Sequence, residues 1–173
     1  MLISNQKNMP ALAHIGVGLA AKKILPTVNV VLLIVAAEFI EIVFMVLAGF
    51  GIEHAPTEMI QPYSPYSHSI LMGIVWTLAA GFVTYIFTKN KRMSFIICAL
   101  VLSHFLLDII ASPKTAFYAA DTGMPWFNNY SKTFGLGLWT NGIVAWIGEL
   151  GLLVGGIVIY VNTKRRMRAE KVI

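Results

Sequence analysis

Seven side chains that can bind protons or cations interrupt otherwise apolar stretches of this chain: His14, Glu38, Glu41, His68, His104, Asp108 and Glu149. An acidic residue at the centre of a bilayer opposes insertion by about 2.5–3.5 kcal/mol, so four of them together oppose it by roughly 10 kcal/mol. That penalty falls when the groups pair with one another or share a cation, which favours one interior site over four unrelated accidents. Imidazole and carboxylate are donors that zinc accepts, and manganese accepts them too. An ion held this way lowers the pKa of water and polarises phosphoryl or acyl groups, the basis of metal-assisted hydrolysis.

Spacing points the same way. Glu38 and Glu41 are three residues apart and are expected on one face of a helix. His104 and Asp108 are four apart and share a face likewise. Each residue alone also has a plainer reading. A histidine on an apolar helix often just hydrogen-bonds a neighbouring helix, and Glu149 could be protonated and bonded to a backbone carbonyl. His54, beside Glu53, reads as solvated, and Ser67 and Ser69 lack a nucleophile motif around them. The single cysteine, Cys98, can form no intrachain disulfide and reads as packing.

The elements that must position these groups follow from composition. Of 173 residues, 57% are hydrophobic and 12% charged, with a mean hydropathy of +0.74. Soluble domains carry roughly 25% charged residues, so an integral membrane protein is expected, all-α and forming a single domain. Four apolar stretches, 29–50, 68–88, 93–112 and 139–162, have about the 20 residues a helix needs to cross a hydrocarbon core ~30 Å thick. A shorter fifth helix is expected over 9–25, bounded by Pro10 and Pro26. The architecture expected is a compact bundle of four long transmembrane helices plus this N-terminal one.

The net charge of +5 is placed as a topology signal rather than a nucleic-acid surface. Lys89, Lys91 and Arg92 fill one short link, and Lys164, Arg165, Arg166, Arg168 and Lys171 fill the tail 163–173. Both are expected on the cytoplasmic side, with the loops 51–67 and 113–138 outside. The first loop holds Glu53 and Glu58 and no Lys or Arg. The N-terminus does not read as a cleaved signal peptide, because Lys22 and Lys23 interrupt the apolar run. At ~1.5 Å per residue, His14, Glu38, His104, Glu41, Asp108 and Glu149 fall roughly 15–24 Å from the cytoplasmic ends, with His68 above them near the outer end. The 26-residue loop 113–138 is long for a plain connection and is expected to close over the pocket as a lid.

In order, Ala13-His14-Ile15-Gly16, Ala37-Glu38-Phe39-Ile40-Glu41, Tyr66-Ser67-His68-Ser69 and Ser103-His104-Phe105-Leu106-Leu107-Asp108 resemble the motifs of the YdjM-like family of bacterial inner-membrane proteins. The stretch Gly135 to Trp139 followed by Glu149 is similar to a GLGLW segment seen in part of that family. The resemblance covers essentially the whole chain and implies a membrane-bound metal-dependent hydrolase. Two departures stand out: the family's Asp-x-Asp becomes Glu38 and Glu41 at wider spacing, and a His-Arg pair becomes Tyr63 and Ser64.

The leading reading is a metal-dependent hydrolase with His14, Glu38 or Glu41, His68, His104 and Asp108 holding one or two ions, zinc first and manganese second. Glu149, or whichever of Glu38 and Glu41 is left free, would be the general base. The substrate expected at such depth is a lipid or lipid-linked phosphoester or ester from the outer leaflet. Two alternatives stand beside it: a small transporter or proton-coupled channel, for which five helices are few unless the chain forms an oligomer, and a non-catalytic membrane partner or assembly protein. The transport reading expects flux into liposomes that Glu38→Gln or Asp108→Asn abolishes; flux insensitive to both counts against it.

Overall fold

The computed structural model describes residues 12–54, 64–111, 124–126 and 133–170. Six α-helices carry the fold: α1 Leu12–Ala20, α2 Val30–Ala37, α3 Phe39–Gly49, α4 Ile70–Thr88, α5 Lys91–Ala111 and α6 Gly142–Ala169. Two 3-10 turns, Ala21–Lys23 and Leu138–Thr140, and a two-residue antiparallel strand pair, Met124–Pro125 with Thr133–Phe134, complete the described elements.

Polar side chains set where the helices begin. Asn29 accepts the Val31 amide, Ser69 accepts that of Met72, and Asn141 accepts those of Ile143 and Val144, each supplying an acceptor that a first helical turn lacks. At the link between α4 and α5, Lys89 adopts φ 52° and the Asn90 side chain accepts the Met93 amide. This turn holds α4 and α5 antiparallel.

By length and composition, α4, α5 and α6 can each cross a membrane, and α2 with α3 makes a fourth if the pair counts as one bent span. Large apolar side chains point outward, among them Leu78, Phe82 and Phe87 on α4 and Ile143, Ile147 and Val154 on α6. His14, His104 and Glu149 are buried. This arrangement suits an apolar solvent around the bundle rather than water. The apolar core, built from Ala21, Leu25, Leu33, Ala36, Ala37, Ile97 and Leu100, lies toward the end that carries Lys22, Lys23, Lys89, Lys91 and Arg92.

Three boundaries differ from the expected ones. The stretch 29–50 is two helices, bent by 64° at Glu38. It contains no proline, and the bend falls where the His104 ring takes the Ala37 carbonyl, a side chain entering the backbone ladder. Among the described residues the N-terminal α-helix runs over Leu12–Ala20 and tightens into the 3-10 turn Ala21–Lys23 before Pro26, while residues 9–11 of the expected helix lie outside the described residues. The tail is helical as far as Ala169, since Lys, Arg, Met and Ala all favour helix. Much of the expected lid, 112–123 and 127–132, lies outside the described residues. Its described parts bond to the bundle: the Leu71 amide donates to the Trp126 carbonyl and the Leu136 amide to the Ile109 carbonyl.

Short α1 is central, touching α2, α5 and above all α6. It meets α6 backbone to backbone. A Cβ added at Gly16 would lie 2.2 Å from the Leu152 carbonyl oxygen, and one added at Gly156 would lie 2.1 Å from that of Gly16. Close approach through small residues is the usual means of helix association in lipid, where dispersion replaces the hydrophobic effect. Gly151 on α6 has open space around it. Gly16→Leu and Gly156→Leu should each destabilise the detergent-solubilised protein by about 1–3 kcal/mol, while Gly151→Leu should leave the unfolding midpoint unchanged; equal midpoints for all three would show that the contact does not matter.

Candidate metal centre

The bundle brings together side chains from every major element. His14 comes from α1, Glu38 from the break between α2 and α3, Glu41 from the first turn of α3, and His68 from the turn before α4. His104 and Asp108 come from α5 and Glu149 from α6.

Asp108 is the hub. His14 Nε2 lies 3.6 Å from its Oδ1, while His104 Nε2 and His68 Nε2 lie 3.5 and 3.7 Å from its Oδ2. Glu41 Oε2 is 3.5 Å from His68 Nε2. These separations exceed those of a good hydrogen bond, and Asp108 Oδ2 is buried with no hydrogen-bond partner. Two sets of donor atoms lie within 4.8 Å of one another, His14 with His104 and Asp108, and Glu41 with His68 and His104. Ligands of one tetrahedral zinc, bound at ~2.0–2.1 Å, are roughly 3.3–3.4 Å apart, so the observed spacing suits donors that face a shared cation. Among the described residues, no lysine or arginine pairs with any of these carboxylates.

Two of the imidazoles are oriented through their other nitrogen. His104 Nδ1–H donates to the Ala37 carbonyl at 2.8 Å, which requires the proton on Nδ1 and leaves the Nε2 lone pair toward Asp108. His68 Nδ1 lies 2.8 Å from Ser67 Oγ. The Ser67 hydroxyl donates to Glu53 Oε2 at 2.6 Å, so its oxygen is the acceptor toward His68. Histidine ligands of metals are commonly held in this way. The His14 ring stacks on His104 with centroids 3.8 Å apart, and its Nδ1 is buried without a hydrogen-bond partner. Phe44 meets the His68 ring edge to face at 5.5 Å.

Exposure rises across the cluster. The His104 side chain is 1% exposed, His14 8%, Asp108 and His68 21%, and Glu41 38%. The cluster therefore opens beside Glu41, on α3, which packs on α5 and bends away from α2.

The expected residues do not all stand in equivalent places. His14, His68, His104, Asp108 and Glu41 converge, whereas Glu38 belongs to neither donor set and its Oε1 is buried without a partner. Glu149 is held at one side: its Oε2 accepts the Ala13 amide at 2.8 Å and its Oε1 the Trp139 indole N–H at 2.9 Å. It thereby satisfies a first-turn donor of α1, one residue before His14. Glu53, read from sequence as an ordinary acidic loop residue, is 1% exposed and bonded to the turn that carries His68. Its one sequence signal is its position in a loop without Lys or Arg to pair with.

No family model, no curated protein and no solved structure matches the chain.

Glu149→Ala would leave the Ala13 amide and the Trp139 indole without acceptors. The expected cost is about 1–3 kcal/mol for the buried Ala13 donor left unsatisfied and less for the part-buried indole, read as a lower unfolding midpoint. Glu149→Gln, which keeps an acceptor oxygen, should lose less; a Gln variant as unstable as the Ala variant would contradict the anchoring role.

Proposed function

We propose that this chain is an integral protein of the bacterial inner membrane, a divergent member of the YdjM-like family, and that it is a metal-dependent hydrolase. The observation that carries the metal reading is the convergence of three imidazole Nε2 atoms on Asp108, whose buried Oδ2 has no hydrogen-bond donor. The outward apolar faces and the basic residues gathered at one end support the membrane reading, with that end cytoplasmic.

His14, His104 and Asp108, which form one donor set, are the proposed ligands, and His68, 3.7 Å from Asp108, joins them from the second set. Their spacing favours zinc over magnesium, whose octahedral bonds of ~2.0–2.1 Å bring neighbouring ligands to roughly 2.9 Å. Such an ion would supply a Lewis acid and lower the pKa of water at the site. The chain's own part of the chemistry falls to Glu41. Its carboxylate is the most exposed group of the cluster and lies at the opening, where it can take a proton from water as general base. Glu149 positions α1, and with it His14, rather than reacting. Glu38, outside both donor sets but close enough to His14 for their charges to interact, would add negative charge near a bound ion when ionised.

The opening beside Glu41 is flanked by exposed Met45 and Val46 on the same helix. An apolar rim next to a charged site suits an amphiphile, so the proposed substrate is a lipid or lipid-linked phosphoester or ester arriving from the outer leaflet.

Elemental analysis of the purified protein by inductively coupled plasma mass spectrometry tests the core of this reading. Wild type should retain about one divalent ion per chain, or two if both donor sets are filled, and His104→Ala should retain far less. A wild-type protein without stoichiometric metal at neutral pH overturns the proposal. Glu41→Gln should keep the ion held by His14, His104 and Asp108 and lose hydrolysis of a lipid phosphoester by roughly 100-fold or more; an equally active Glu41→Gln removes Glu41 from the reaction.

A further inference from the structure

His68 is unlike the other proposed ligands in one respect: it precedes the cap of α4 and does not ride on a helix. His104 and Asp108 are fixed by α5, and His14 by α1. Something else must aim the His68 ring. Just beyond α3, Gly51 turns the chain with φ 71°, and Glu53 follows, its amide pointing back to the Leu47 carbonyl. The Glu53 carboxylate is buried and accepts three hydrogen bonds from two consecutive residues: the Tyr66 amide at 2.7 Å, the Ser67 amide at 3.0 Å and the Ser67 hydroxyl at 2.6 Å. The turn is closed by the His68 amide, which donates to the Ser64 carbonyl at 2.9 Å.

Burying a carboxylate is costly unless its oxygens are satisfied, and these three donors meet most of that need. The consequence passes through Ser67. Because its proton goes to Glu53, its oxygen can only accept from His68, so the His68 proton is held on Nδ1. The bare Nε2 then faces Asp108 Oδ2 and Glu41 Oε2. With the proton on Nε2 instead, the ring could not bind a cation there.

We infer that Glu53 and Ser67 are positioning residues that lock His68 in the metal-binding tautomer and tie the far end of α3, the helix of Glu41, to the start of α4. This rests on the proposed metal reading, and the residues act through His68 without touching the ion. Zinc binding to the full-length protein in detergent, measured by competition with a chromophoric chelator, provides one test. Ser67→Ala and Glu53→Gln should weaken zinc binding by roughly 10–100-fold, the usual penalty for losing an outer partner of a ligand. Ser67→Thr, which keeps the hydroxyl, should restore it. Ser67→Ala also removes a donor from buried Glu53, so the unfolding midpoint of the metal-free protein should fall as well; the His68 tautomer is the readout that a merely structural role would not move. Nitrogen-15 NMR of the histidine side chains in metal-free protein, recorded at a pH high enough that the His68 ring is neutral, provides the second test. Wild-type His68 should appear as the Nδ1–H tautomer, and Ser67→Ala should populate Nε2–H.

Zinc affinity of Ser67→Ala within about twofold of wild type, or an Nε2–H His68 in the wild type, overturns the inference. If the wild type binds no zinc, the metal proposal falls by itself, and the His68 tautomer alone decides whether the relay exists.

Discussion

A carboxylate lodged among apolar helices needs positive charge close to it, and at Asp108 that charge does not come from lysine or arginine among the described residues. Three imidazoles surround it instead, at distances too long for strong hydrogen bonds and short enough to share an ion. Most features of the bundle's interior serve this demand. The long helix α5 places His104 and Asp108 one turn apart, α1 adds His14, and the turn ahead of α4 adds His68. In a low-dielectric interior, a half-satisfied group of this kind is expensive. A cation would convert the same cluster from a liability into a strong crosslink between helices.

The two ends of the bundle divide the labour. The basic end is built from small and aliphatic side chains packed around Leu33 and Ala37. The opposite end carries the polar cluster and loosens toward Glu41. Ala37 belongs to both: its side chain is in the apolar core, and its carbonyl holds the His104 ring. The bend at Glu38 is the visible result, since it turns α3 away from α2 and opens the cluster on one side.

Much of this was legible in the sequence. His104 and Asp108 sit one helical turn apart, and the cost of several acids in apolar stretches argued for a single meeting point, which is where His14, His68 and Glu41 are found. The pairing of Glu38 with Glu41 on one continuous helix was not borne out in form, because the helix breaks at Glu38. The cause is a contact with a histidine 67 residues away, which no local pattern records. Glu149 could be recognised as interior, but its service to the first turn of α1 depends on a neighbour 136 residues distant. Glu53 was hidden for the opposite reason: an acidic residue in a loop looks solvated until the loop is seen to fold back over it. The helical extension of α6 could have been read from its residues, since a run of Lys, Arg and Met interrupts hydropathy without interrupting helix.

The backbone contact between Gly16 and Gly156 has an implication for assembly. Synthesis proceeds from the amino end, so the helix bearing His14 is made well before α6, the partner against which it seats. Until α6 joins, α1 has neither its glycine groove nor the Glu149 carboxylate at its first turn. The cluster thus reaches its final form only when most of the described chain has been made, and a nascent chain would hold its earliest histidine in waiting.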